Sequence, residues 1–140
     1  MSWIQSYGIT LPYFRIGDNM LNPNGKKGVS KSICFSDEDI ITLAFEASLN
    51  CLENSKIKNI NSRIDCVLFA TSTPVFRNRY HASFLADLLD LPKGILALDF
   101  VNSSRGGTDA LLLANLLVES GKFSAVLVVA SDVRFPGIGE

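Results

Sequence analysis

The sequence has few of the side chains from which simple functional sites are built. It holds one histidine and three cysteines, and Cys34, Cys51 and Cys66 are odd in number and have no metal-ligand spacing. A metal site and a disulfide framework are therefore not expected, and unpaired thiols are typical of a reducing cytoplasm. We expect all three cysteines to be small buried apolar residues.

An excess of charge of one sign and long apolar runs are also missing. The formal net charge is −1 over 140 residues, so we expect no attraction to nucleic acid or to an anionic membrane. No apolar run approaches the roughly 20 residues needed to span a bilayer, and residues 1–5 lack the order of a secretion signal. With 47% hydrophobic and 19% charged residues, a cytoplasmic globular domain is expected.

What is present is a regular alternation of predicted strands and helices. Short continuous apolar runs are typical of strands covered on both faces, and apolar residues at helical spacing lie between these runs. Ser36 is the predicted cap of the first helix, and Gly121 is predicted to end the last one. The order predicts an α/β fold with a mostly parallel sheet. The predicted elements are strand 4–11, loop 17–32, a helix opened by 36–39, strand 65–70, helix 81–89, strand 95–100, helix 109–118 and strand 125–131.

The helix at 109–118 has almost no polar stripe. A helix that is apolar all round is normally buried all round. We therefore expect a further part of the chain, or a partner, to pack over it. Without that cover, the 140-residue chain is expected to be poorly soluble or to oligomerise.

The turn before this helix is the candidate functional site. Residues 102–108 read Asn-Ser-Ser-Arg-Gly-Gly-Thr, and backbone N–H groups at such a helix start favour a phosphate, an oxyanion or an activated nucleophile. Ser104 is the candidate nucleophile, and Gly106 and Gly107 would let a substrate approach the backbone closely. Two other interpretations stay open: a serine helix cap with a tight turn, and a phosphate-binding turn without the spacing of either standard nucleotide motif.

The same residues resemble a known family. Residues 102–108 are similar to the nucleophile turn of hydroxymethylglutaryl-CoA synthases and of 3-oxoacyl-carrier-protein synthase III enzymes, where the pattern is Asn-Ala-Cys-x-Gly-Gly-Thr. Segments 6–12, 37–39, 69–74 and 128–132 resemble the family in the same order. The resemblance implies an α/β, thiolase-like fold over residues 1–140, as an incomplete N-terminal half with a mostly parallel sheet and a buried central helix at about 107–119.

The resemblance also implies a chemistry. It points to a condensing acyltransferase that takes a coenzyme A or acyl-carrier-protein thioester as substrate and binds no cofactor. Ser104 stands where the family has its catalytic cysteine, and Ser72 stands where synthases of the hydroxymethylglutaryl type have a glutamate acid/base. The catalytic histidine and asparagine of the family belong to a second half that this sequence does not contain. We therefore expect the segment alone to be inactive.

Four further side chains are candidates for smaller roles. His81, the only histidine, is expected to lie on the surface or to cap the helix that it begins. Arg105 is expected either to meet a phosphate of coenzyme A or an acyl carrier, or to pair with a nearby aspartate. Arg77 and Arg79 form a basic patch flanked by aromatic residues, which is interpreted as a solvated loop or as a contact for coenzyme A or a dimer partner.

Two other hypotheses remain beside the enzyme. The serines at 104 and 72 also fit a non-catalytic thiolase-fold subunit of an acyltransferase complex. The partners would then be a second copy or another thiolase-fold chain, with a zinc-ribbon and OB-fold protein as a further option. The third hypothesis is an unrelated α/β domain that binds an anion at 103–107.

Overall fold

A three-stranded parallel sheet forms the centre of the molecule. The computed structural model describes residues 2–17, 30–101 and 103–133. In the order of the sheet, its strands are β4 (Leu96–Val101), β3 (Ile64–Thr71) and β5 (Ala125–Ala130), so that β3 lies in the middle. Helices lie between its strands in the chain, which confirms the predicted α/β fold and parallel sheet. The elements around the sheet are α1 (Ile40–Glu53), β3 (Ile64–Thr71), α2 (His81–Leu88), β4 (Leu96–Val101), α3 (Gly106–Glu119) and β5 (Ala125–Ala130), with a single 3₁₀ turn at Ile60–Arg63.

The core has two layers because β3 is buried on both faces. Val67 and Phe69 point towards α1 and α2, while Cys66 and Leu68 point towards α3. Alternate side chains of a strand face opposite sides of its sheet, so the apolar run at 65–70 can serve both layers. This confirms the prediction of a strand covered on both faces.

The helix ends are set by local capping. Asp39, not the predicted Ser36, is the N-cap of α1: its side chain accepts from the backbone N–H groups of Ile41 and Thr42, and the Thr42 hydroxyl closes a capping box. Ser36 lies in the turn before it. Gly121 follows α3 with a φ of 72°, which confirms the predicted helix end.

The predicted strand at 4–11 is wrong. Within the described residues, this segment makes no strand pairing, and the first strand, β1 (Phe14–Gly17), begins after Pro12. β1 pairs antiparallel with β2 (Ser30–Ile33), so both ends of the predicted loop 17–32 are in strands, and its middle lies outside the described residues. A strand needs a neighbour to complete its hydrogen bonds, and none of the described residues pairs with this segment.

Residues 6–9 of this segment instead contact α1. Gly8 lies so close to this helix that a Cβ atom there would be 2.1 Å from the carbonyl oxygen of Ala47. The side-chain amide of Asn50 donates to the Ile9 carbonyl at 3.4 Å, and that of Asn54 donates to the Tyr7 carbonyl at 3.3 Å. The missing side chain of Gly8 therefore determines how closely the segment approaches α1.

The helix α3 is covered on one side only. Ala110 is fully buried against the sheet, but Leu111, Leu112 and Leu116 are 52%, 62% and 56% exposed. The predicted central helix is therefore present, with its outer face open in this chain, and its all-round burial is not observed. None of the described helices is long and apolar enough to cross a membrane.

The cysteines differ from one another. All three are free, and only Cys66 is buried, whereas Cys34 and Cys51 are partly exposed. The prediction of buried cysteines is thus confirmed for Cys66 alone. Burial, and to a smaller extent the neighbouring Asp65 carboxylate, raise the pKa of the Cys66 thiol to about 11.

Candidate functional site

The predicted nucleophile lies in an exposed turn between β4 and α3. Ser103, Ser104 and Arg105 are all exposed. The turn is closed by the backbone N–H of Gly106, which donates to the Ser103 carbonyl at 3.1 Å, and by that of Arg105, which donates to the Ser103 hydroxyl at 3.1 Å. Arg105 is the N-cap residue, and no side-chain hydrogen bond caps α3. Neither serine is thus the N-cap residue of α3, but the Ser103 hydroxyl closes the tight turn that leads into it.

Two glycines place this turn over the edge of the sheet. A Cβ atom on Gly106 would be 3.1 Å from the Phe100 carbonyl oxygen and 3.5 Å from the Ala70 Cβ, and one on Gly107 would be 3.6 Å from the Ala130 Cβ. These neighbours belong to β4, β3 and β5. The first turn of α3 thus rests on the carboxyl ends of all three strands, where ligands bind in many parallel α/β sheets.

Ser72, at the predicted acid/base position, is bound to an aspartate at this edge. The Asp132 Oδ1 atom accepts from the Ser72 backbone N–H at 2.6 Å and from the Ser72 hydroxyl at 3.1 Å. The hydroxyls of Thr71 and Thr73 also donate to this oxygen, at 3.0 and 3.2 Å. The proton of the Ser72 hydroxyl is therefore directed to Asp132 and not towards a substrate.

Asp132 was not among the predicted site residues. Burial alone raises the pKa of its carboxyl group, but the hydrogen bonds from the Ser72 backbone and from the three hydroxyls together lower it below its ordinary value. Asp132 is therefore ionised at neutral pH and cannot act as a proton donor. One sequence feature could have identified it, because it follows the β5 run, at the edge where Ser72 follows β3.

His81 is buried, and its side chain does not cap α2, so both alternatives predicted for it, a surface position and a helix cap, are wrong. Its side chain is 1% exposed, and its Nδ1 atom lies 2.6 Å from the Asp99 carboxylate. Its Nε2 atom accepts from the backbone N–H groups of Val75 and Phe76, at 3.2 Å each. Both ring nitrogens are thus engaged, so His81 is not available as a base for Ser104.

The arginines have separate environments. Arg105 is exposed and forms no ion pair with Asp99 or Asp109 in the described part of the chain. The Arg79 guanidinium lies 4.4 Å from the centre of the Phe84 ring, a cation–π contact. Arg77 and Arg79 both line a groove of about 600 Å³, together with Phe76, Tyr80, Asp99 and Val101. In the ranges 2–17, 30–101 and 103–133, no three acidic, histidine or cysteine side chains cluster as metal ligands.

Curated proteins with similar sequences fall into two groups. The β-ketoacyl-acyl-carrier-protein synthase III of Neorickettsia sennetsu is 32% identical over 107 residues, which cover 76% of this chain and 34% of that protein. The hydroxymethylglutaryl-CoA synthase of Pyrobaculum aerophilum is 30% identical over 147 residues, covering 98% of this chain and 41% of that protein. The chain thus spans 34% and 41% of the lengths of these relatives. No protein-family model matches the sequence.

Solved structures show the same fold. The 3-oxoacyl-acyl-carrier-protein synthase III of Aquifex aeolicus superimposes with a TM-score of 0.80 at 24% identity, over 92% of this chain and 44% of that one. MvaS in complex with 3-hydroxy-3-methylglutaryl coenzyme A gives a TM-score of 0.82 at 21% identity, over 98% and 35%. The chain therefore has the thiolase-like fold of these synthases, and its sequence is similar to part of β-ketoacyl synthase III and of hydroxymethylglutaryl-CoA synthase.

Proposed function

We propose that the protein is a thiolase-fold condensing acyltransferase, or the nucleophile-bearing part of one, and that Ser104 occupies its acyl-accepting position. One observation carries this proposal: Ser104 is exposed in front of α3, at the point where this helix rests on all three strand ends. The start of a helix stabilises negative charge. An oxyanion that develops on a thioester carbonyl at Ser104 would therefore be stabilised there.

The reaction would be an acyl transfer to oxygen. The Ser104 hydroxyl oxygen attacks the thioester carbonyl, the carbon–sulfur bond breaks, and the acyl group remains as an ester on Ser104. The thiol leaves, and the hydroxyl proton passes to a base or to the leaving thiolate. His81 cannot serve as this base because both its nitrogens are engaged. We propose that the base comes from a further segment or from a partner, so that the 140-residue domain alone does not complete a condensation.

The proposed substrate is a thioester of coenzyme A or of an acyl carrier protein, with no resident cofactor. Support comes from the curacin-pathway HMG synthase in complex with an acetyl donor acyl carrier protein, a fold relative with a TM-score of 0.81. Arg105 is exposed beside Ser104 and would offer a cation to a substrate phosphate. The positions where Gly106 and Gly107 would carry side chains face the strand ends, so these glycines allow the close contact of α3 with the sheet and do not open space for the substrate as predicted. A second copy or another thiolase-fold chain is the proposed partner.

Labelling with radioactive acetyl-CoA tests the proposal. The purified protein should acquire label slowly, and Ser104→Ala should abolish it. Ser104→Cys should be labelled faster, because a thiol is a few per cent ionised at neutral pH whereas an alcohol is not. Ser103→Ala is the matched control and should keep the label. Neutral hydroxylamine separates the two chemistries, since it cleaves a thioester and leaves a serine ester intact.

The proposal is contradicted if Ser104→Ala takes up hydroxylamine-resistant label at the wild-type rate. If neither the wild-type protein nor Ser104→Cys takes up label although both are folded, residue 104 is not the acyl-accepting position. That result would favour the non-catalytic subunit instead.

A further inference from the structure

The His81 side chain joins three separate pieces of the carboxyl edge of the sheet. Asp99 lies on β4 and accepts from the backbone N–H groups of His81 and Ala82, at 2.8 Å each, at the start of α2. The same carboxylate faces the His81 Nδ1 atom at 2.6 Å. The Nε2 atom on the far side of the ring holds the N–H groups of Val75 and Phe76, which follow β3.

This arrangement determines which ring nitrogen carries the proton. Nε2 accepts two backbone N–H groups, so its lone pair must be free and it can carry no hydrogen. Nδ1 therefore carries the hydrogen and donates it to Asp99. The Asp99 carboxylate thus accepts three hydrogen bonds, two of them from backbone N–H groups at the start of α2. The network runs from the Val75 and Phe76 N–H groups through the imidazole ring to Asp99.

The ring is also held by aromatic neighbours. It stacks between Phe69 and Phe76, with ring centres 5.4 and 5.0 Å away. The Phe76 and Phe84 rings meet edge to face, with ring centres 5.4 Å apart, a preferred arrangement of aromatic pairs. The Arg79 guanidinium lies over the Phe84 ring. Segment 75–80 is therefore held by two contacts: the hydrogen bonds of the buried His81 ring to Val75 and Phe76, and the contact of the Arg79 guanidinium with the Phe84 ring.

We infer that His81 is a positioning residue that holds segment 75–80 as a wall of the groove that reaches the end of β4. The lining of this groove includes Phe76, Arg77 and Tyr80 from the segment and Asp99 and Val101 from β4. Val101 is the last residue of β4, and the turn begins two positions later. The catalytic consequence rests on the proposed acyl transfer to Ser104, whereas the tautomer and the hold on the segment do not.

Two substitutions at His81 separate the acceptor role of Nε2 from the donor role of Nδ1. In His81→Gln, the amide oxygen can replace Nε2 as the acceptor for Val75 and Phe76. In His81→Asn, the amide nitrogen can replace Nδ1 as the donor to Asp99, but the acceptor for the segment is lost. Hydrogen exchange should therefore show lost protection of the Val75 and Phe76 amides in His81→Asn and retained protection in His81→Gln.

The acylation rate gives the functional readout, in the Ser104→Cys background where the proposed reaction is fastest. His81→Asn should reduce it about tenfold or more, as expected when a site is displaced by a fraction of an ångström. His81→Gln should remain within about twofold of the parent. A merely structural role would lower the melting temperature in both variants and would not separate their rates at equal folded fraction.

The wild-type protein offers a test that needs no variant. Nitrogen NMR of ¹⁵N-histidine-labelled protein at neutral pH should show a protonated Nδ1 and an unprotonated Nε2. The opposite tautomer would overturn the inference, as would equal exchange protection of Val75 and Phe76 in the two variants. If exchange separates the variants but their acylation rates are equal, the positioning role is refuted. If no acylation occurs at all, the proposed function fails. The NMR tautomer of His81 and the exchange protection of the Val75 and Phe76 amides then still test whether His81 holds segment 75–80.

Discussion

Alanine substitutions at the two glycines that begin α3 should have opposite effects on stability. Replacing a helical glycine by alanine stabilises a helix by up to about 1 kcal/mol. At Gly107, the new Cβ would lie 3.6 Å from the Ala130 Cβ, an ordinary contact. Gly107→Ala should therefore raise the free energy of unfolding by about 0.5–1 kcal/mol.

At Gly106 the same gain meets a steric obstacle. The new Cβ would lie 3.1 Å from the Phe100 carbonyl oxygen and 3.3 Å from the Phe100 Cβ, so the end of β4 or the helix must move by a few tenths of an ångström. Overpacking of this kind costs about 1–3 kcal/mol, which exceeds the gain in helix propensity. We expect a net loss of about 1 kcal/mol, and hence a difference of about 1.5–2 kcal/mol between the variants.

Urea unfolding followed by far-ultraviolet circular dichroism measures both changes under one condition. Each variant is the control of the other, because both add one methyl group to the first turn of the same helix. The reasoning is refuted if Gly106→Ala is as stable as Gly107→Ala. That result would mean that α3 is not held tightly against the strand ends.

Three further outcomes follow from named contacts. Leu112 is 62% exposed on the open face of α3, so Leu112→Glu should reduce self-association in sedimentation velocity while changing the unfolding free energy by less than about 0.5 kcal/mol. The pKa of Asp132 is lowered by its hydrogen bonds despite the opposing effect of burial, so its ionised form stabilises the fold fully above the ordinary carboxyl pKa of about 4. The stability deficit of Asp132→Asn in urea should therefore be present at neutral pH and should shrink as the pH falls below about 4. With a thiol pKa of about 11, buried Cys66 should react with iodoacetamide at pH 8 only after unfolding; rapid reaction in the folded protein, seen by peptide mass spectrometry, would contradict its burial.

Local sequence patterns were enough to predict the central layer of the fold. The run at 65–70 is apolar on every residue but its first, so its burial on both faces could be predicted before any partner strand was known. The bounds of β3 and β4 were predicted to within one residue from such runs, whereas α3 begins three residues before the predicted 109 and includes both glycines. The position of Ser104 could be predicted for the same reason, because it lies where a strand run meets a helix run.

Features that depend on contacts distant in sequence were missed. His81 was expected at the surface because a single histidine at a helix start shows no sign of its partner, which lies 18 positions further along the chain. The available signal was Asp99 itself, since a charge inside an apolar strand needs a partner. Similarly, the pattern of residues 4–11 indicates extended backbone but carries no information about which strand could pair with it.

Peptide mapping of the acylated protein by mass spectrometry shows directly whether Ser104 accepts an acyl group. After incubation with acetyl-CoA and treatment with neutral hydroxylamine, the peptide that contains Ser104 should carry an acetyl mass. The same peptide from Ser104→Ala should carry none. An acetyl group found only on other peptides, with Ser104 unmodified in folded protein, would contradict the claim.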